Sequence, residues 1–143
     1  MRSARAHASS KASKSARRKR RAAKRDPQYL DWLRQQPCAV CLKRGGTIQN
    51  AQLIQGSPTE AAHVGERGLG QKCPDREAIP LCGEHHRTGA LAHHVLGREF
   101  WFMHSMNKTD VIAEYNARYQ SDMWGKTIGE MDLASEAALR GAA

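Results

Sequence analysis

Four cysteines, Cys38, Cys41, Cys73 and Cys82, and six of the seven histidines lie between residues 38 and 104. Cys38-Ala39-Val40-Cys41 is a CxxC with Gly45-Gly46 close behind. Two thiolates at this spacing hold one tetrahedral ion, because the turn brings both sulfurs to one side. Cys82-Gly83-Glu84-His85 supplies a second pair, placed where a strand is expected to meet a helix. Cys38, Cys41, Cys82 and His85 then complete a Cys₃His set, the closed kind that holds structural Zn²⁺. The plainer alternative is a group of buried, unligated thiols. Cys73 has no companion at knuckle spacing; it would either replace one member of the set or stand as a free thiol. No apolar signal segment opens the chain, so a disulfide framework is not expected. A redox CxxC needs a thioredoxin-like βαβ context, which the pattern lacks.

The histidines fall at 63, 85, 86, 93, 94 and 104, with two adjacent pairs. A solvated surface would scatter them, and a core would rarely pair them. If His85 goes to zinc, His86 points about 100° away around a helix and is available to a second site. On an unbroken helix His94 would lie about 12 Å from His86, too far for one ion. Gly89 interrupts the helix and allows His94 to fold back.

The elements that must position these residues are short. Asp26 is an N-cap with Pro27 at the first helical position, and Tyr29, Trp32 and Leu33 form one helical face. Pro37 ends that helix. Lys43 to Pro58, with Gly45, Gly46 and Gly56, reads as hairpin and loop. Ala61–Val64 and Ala78–Leu81 read as strands around a turn through Gly65, Gly68 and Gly70. The pattern turns helical after Cys82. Phe100 to Met103 form an aromatic cluster, suited to core packing or, alternatively, to base stacking. Val111, Ile112, Tyr115 and Tyr119 mark a helix from Thr109 to Tyr119, with Thr109 or Asp110 near its cap. Residues 128–143 read as a weak or frayed helix.

Charge divides the chain of 143 residues sharply. Residues 1–25 carry seven Arg, four Lys and no acid, while the remainder holds 12 basic and 14 acidic groups. The net charge of +9 therefore resides in the tail. Lacking large apolar residues, the tail is expected to be disordered. Its Arg17, Arg18, Lys19, Arg20 and Arg21 would neutralise phosphates without reading base sequence, or else serve only solubility. The plan is a disordered basic tail over 1–25, a zinc-stabilised domain over 26–120 and an extension over 121–143. Arg67, Lys72, Arg76, Arg87 and Arg98 flank the histidines, either as phosphate contacts or as solvated charges. No apolar run approaches the length of a membrane span, so no membrane is expected as partner.

The CxxC, then Glu60-Ala61-Ala62-His63-Val64, then Ile79-Pro80-Leu81-Cys82-Gly83-Glu84-His85-His86 resembles the HNH nucleases, small phage-type members in particular. The resemblance covers Pro27 to Tyr119. It implies an α+β fold, a small ββα-metal, treble-clef-like domain with a zinc knuckle and flanking helices. It further implies His63 as the general base, and His86 and His94 as ligands of a catalytic divalent ion (Mg²⁺, Mn²⁺ or a transition metal). Asp75 or Glu77 lies near the family's middle Asn, and Ala62 stands where a metal-binding Asp or His often precedes the base. By resemblance the activity is hydrolysis of DNA phosphodiesters, in phage or prophage DNA processing or recombination. The setting would be the cytoplasm of a bacterial host, with DNA and a recombinase filament as partners. Two other functions fit the residues: a catalytically inactive, zinc-stabilised nucleic-acid-binding module, and a packaging protein whose tail condenses nucleic acid.

Overall fold

The structure is a computed structural model; it describes residue 16, residues 25–66 and residues 73–141, with side chains as far as residue 126. The tail expected over 1–25, apart from Ala16 and Arg25, lies outside the described residues, as do Arg67 and Lys72. Asp26 caps helix α1 (Pro27–Arg34), its carboxylate accepting from the Tyr29 N–H at 3.1 Å. Pro27 costs nothing at the first helical position, where its missing N–H would have no partner. α2 (Ala39–Gly45) begins directly after Cys38 and closes on Gly46, which adopts φ +75°. Glycine takes this left-handed conformation without a Cβ clash.

α3 (Ile48–Ile54) corrects the hairpin-and-loop reading of residues 43–58. Thr47 accepts from the Asn50 N–H at 3.2 Å and so starts a helix that the surrounding glycines had obscured. Only Ala51 of this helix is buried, and Leu53 is largely exposed. Its single small buried residue leaves no apolar stripe to mark it in the sequence.

Strands β1 (Thr59–His63) and β2 (Ala78–Cys82) pair antiparallel, with Ala62 opposite Ile79 and His63 opposite Ala78. Every residue of β2 is buried, whereas β1 buries only Ala62. Pro80 is tolerated because each strand of a two-stranded sheet has a free edge. A 3₁₀ turn (Asp75–Glu77) leads into β2, and a π-turn (Glu84–Thr88) follows it. Two short helices, α4 (His93–Leu96) and α5 (Glu99–Met103), precede the long α6 (Lys108–Gly141). Asn107 caps α6 through the Asp110 N–H at 3.2 Å, two or three residues before the expected cap. The helix continues unbroken past residue 120.

The core lies where α1, β2 and the first half of α6 meet. Tyr29 and Leu33 are fully buried, and the Tyr29 ring meets Tyr119 edge-on at 5.2 Å. Such aromatic pairs contribute about 0.5–1.5 kcal/mol beyond the area they bury. The Tyr29 hydroxyl donates to the Ala78 carbonyl at 3.1 Å, and Trp32 Nε1 donates to Asp122 at 2.8 Å. These two bonds tie α1 to the sheet and to α6. Arg76 packs against the edge of the same core. Its guanidinium lies over the Tyr29 and Tyr119 rings, 5.0 and 4.7 Å from their centroids, and its Nε donates to Asp26 at 2.6 Å. These contacts give Arg76 a structural role beside the one expected of it. Phe100 is fully buried, but Phe102 is 85% exposed, so core packing claims only part of the aromatic cluster. Among the described residues no helix is long and apolar enough to cross a membrane.

Candidate functional site

Cys38, Cys41, Cys82 and His85 converge from three elements, with all four ligand atoms within 4.8 Å of one another. Cys38 and Cys41 flank the start of α2, Cys82 ends β2, and His85 sits on the π-turn. His85 presents Nδ1, at 3.5, 3.6 and 3.1 Å from the sulfurs of Cys38, Cys41 and Cys82. Zinc bonds of about 2.3 Å to sulfur and 2.0 Å to nitrogen, at tetrahedral angles, place N and S about 3.5 Å apart. The cluster is therefore compatible with structural zinc. All four residues are buried. Burial raises the Cys38 and Cys41 thiols above their ordinary value, and the neighbouring sulfurs add to this for Cys41. A divalent cation reverses that balance by stabilising the thiolates. Burial first, and then His104, hold the His85 ring below its usual value, which favours the neutral imidazole a metal needs. Cys73 is buried and lies outside the cluster.

Three other histidines, His63, His86 and His94, form two further groups. At the end of β1, His63 Nε2 lies 2.8 Å from Asp75 Oδ1. Asp75 is held by the 3₁₀ turn, and its other oxygen accepts from the Asp26 N–H at 2.8 Å. Burial opposes ionisation of Asp75, yet the bonds from His63 and the Asp26 N–H outweigh it and keep the carboxyl below its ordinary value. An ionised carboxylate only accepts. Nε2 of His63 must then carry the proton, leaving the Nδ1 lone pair available as a base.

The second group surrounds the π-turn. His86 and His94 lie with ring centroids 4.6 Å apart. His86 Nδ1 lies 2.5 Å from Glu60 Oε2, and Glu60 Oε1 accepts from Arg87. The hydrogen bond with His86, aided by Arg87, lowers the Glu60 carboxyl below its usual value. The π-turn explains this geometry: the Gly89 N–H donates to the Glu84 carbonyl at 2.9 Å, so the turn is wider than an α-helical one and the chain then leaves the helix. A Cβ on residue 89 would lie 2.8 Å from that carbonyl oxygen.

His93 has a different role from its neighbour. It packs edge-on against Phe100 and Trp101, at 5.3 and 6.0 Å. His104 lies edge-on to His85 at 5.5 Å, and its Nε2 is 3.0 Å from the Leu91 carbonyl. Arg87 is exposed and paired with Glu60, and Arg98 is exposed. Ala62 is fully buried in the core. Among the described residues the Cys₃His set is the one group of three or more ligands at metal spacing, so no third ligand joins His86 and His94.

Glu60 is the residue that sequence reasoning missed. The available signal was strand alternation: period two puts residues 60 and 62 on the same face of β1. A carboxylate two positions before Ala62 can therefore reach the side where a ligand at 62 was expected. No protein-family model matches the chain, and neither the curated proteins nor the solved structures yield a match.

Proposed function

We propose that the chain is a metal-dependent DNA endonuclease of the ββα-metal kind, with the Cys₃His cluster as its structural zinc site. The observation that carries the reading is the His63–Asp75 pair, a base with its carboxylate orienter, on the strand that also bears Glu60 beside His86. His63 would take a proton from water at Nδ1, while Asp75 holds the ring by Nε2. Two imidazoles 4.6 Å apart on an irregular turn suit the nitrogen donors of one divalent ion, and His86 and His94 would hold it. When bound, the ion supplies charge stabilisation for the phosphorane and the departing 3′ oxygen. Arg87, and the basic residues of the tail, would draw in the phosphate backbone. Phage or prophage DNA processing, with a recombinase filament as partner, belongs to this reading through the resemblance alone.

The test is cleavage of plasmid and single-stranded DNA by zinc-loaded protein, with Mg²⁺, Mn²⁺ or Ni²⁺ added singly. Nicking should require the added ion and disappear in His63→Ala, while that variant stays folded and still binds DNA. A second reading is favoured by the buried Ala62 and by the absence of a third ligand at His86 and His94 among the described residues. It is a zinc-stabilised nucleic-acid-binding module without cleavage. Salt-sensitive DNA binding with no nicking in any metal would establish it.

A further inference from the structure

We infer that Glu60 is a positioning residue for His86: its carboxylate accepts a hydrogen bond from Nδ1–H and so turns the Nε2 lone pair to the candidate ion. The inference rests on the endonuclease reading for the ion, and on the structure alone for the ring. The contact is 2.5 Å, from a strand residue that is one-third exposed to a ring that is largely enclosed. Glu60 is anchored at its other oxygen by Arg87, so the carboxylate cannot swing away without breaking a charged pair. A carboxylate has no hydrogen to donate, which leaves the Nδ1–H form of His86 as the tautomer that makes this bond. Nε2 is then the only nitrogen with a free lone pair.

The carboxylate–histidine–metal relay is a general device: the outer carboxylate fixes the tautomer, fixes the ring plane and raises the basicity of the ligand. Here it bears on a pair that has only two imidazoles, where a wrongly protonated ring would leave a single donor. The choice of a long side chain follows from the strand. Ala62 is fully buried in the core. Glu at 60, on the same face, reaches the π-turn from two residues away. Arg87, held by the same carboxylate, keeps its remaining N–H groups for a substrate phosphate beside the ion. Glu60 thereby positions a ligand and a phosphate contact together.

Two measurements on tag-free, zinc-loaded protein test this. The first is ¹⁵N–¹H correlation of the histidine rings at pH 8 with no second ion present. Wild-type His86 should show the Nδ1–H tautomer, Glu60→Ala should shift it to Nε2–H, and Glu60→Gln, which keeps an accepting oxygen, should restore Nδ1–H. An Nε2–H ring in the wild type, or no change in Glu60→Ala, overturns the inference. The second is calorimetric titration with Ni²⁺. Glu60→Ala should bind about ten- to a hundredfold more weakly than wild type, and Glu60→Gln within a few-fold. Equal affinity in Glu60→Ala overturns the role toward the ion. If His86→Ala binds Ni²⁺ as the wild type does, the ion reading itself falls, and the ring measurement still decides what Glu60 does to His86. Circular dichroism and zinc content confirm that each variant is folded.

Discussion

His86 and His94 are eight residues apart in sequence, yet their ring centroids are 4.6 Å apart. A regular helix would separate them by about 12 Å along its axis. The π-turn and the exit at Gly89 abolish that separation. Gly89→Ala should therefore do two things at once. Its Cβ would meet the Glu84 carbonyl oxygen at 2.8 Å and the Glu84 Cγ at 2.9 Å, forcing the turn open. We expect a stability loss of about 1–3 kcal/mol, as for other overpacked sites, and weaker Ni²⁺ binding in zinc-loaded protein. Urea unfolding and calorimetry check the two effects; unchanged stability would show that the turn relaxes freely.

Removal of zinc should unfold the domain. Three sulfurs and one imidazole join the start of α2, the end of β2 and the π-turn at one point. Structural zinc sites of this kind contribute about 10–16 kcal/mol, against a whole-domain stability of about 5–15 kcal/mol. Elemental analysis should find one zinc per chain. A strong chelator, or Cys82→Ser, should abolish the cooperative thermal transition. A sharp transition that survives in metal-free protein would assign the cluster to thiol packing instead.

The Cys₃His cluster was legible because both knuckles put paired candidate ligands at short, fixed spacing. Tyr29, Trp32 and Leu33 were legible because helical periodicity exposes a buried face. Glu60 and α3 were not, for different physical reasons. Strand alternation puts Glu60 on the face of residue 62, but it does not identify the histidine 26 residues away that becomes its partner. α3 hides its helix because it buries one alanine and sits among glycines. The structural role of Arg76 was not legible either, because nothing local shows that the tertiary fold stacks this cation on two tyrosines. Phe102 misled, since its burial could not be told from that of Phe100 two residues away.

Arg76 gives a prediction that separates stability from binding. Its guanidinium bonds Asp26 and Asn116 and lies over two tyrosine rings. Arg76→Met keeps much of the volume and removes the charge. Loss of the ion pair and of both ring contacts should cost about 2–3 kcal/mol. DNA affinity per folded molecule should stay within about twofold, whereas Arg87→Ala should weaken it and reduce its salt dependence. A large loss of DNA affinity in folded Arg76→Met would place Arg76 among the phosphate contacts.

Asp75 links α1, the strand histidine and acid sensitivity. One oxygen accepts from His63 and the other from the Asp26 N–H, so both donors depend on a single carboxylate. Although burial works against the charge, these bonds hold the folded carboxyl below its ordinary 3.8. The unfolded chain then binds the proton more readily than the folded one. The stabilisation is complete above about pH 5 and is lost as the pH falls from 3.8 through the lower folded value. Asp75→Asn has one accepting oxygen for two donors, which leaves a partly buried donor unpaired at a cost of about 1–2 kcal/mol. With excess zinc present, urea midpoints should thus differ between wild type and Asp75→Asn near pH 7, and the gap should narrow as the pH falls below about 5, down to the acid limit at which the cluster still holds zinc. Equal midpoints near pH 7 would mean that the Asp75 carboxylate contributes nothing to stability.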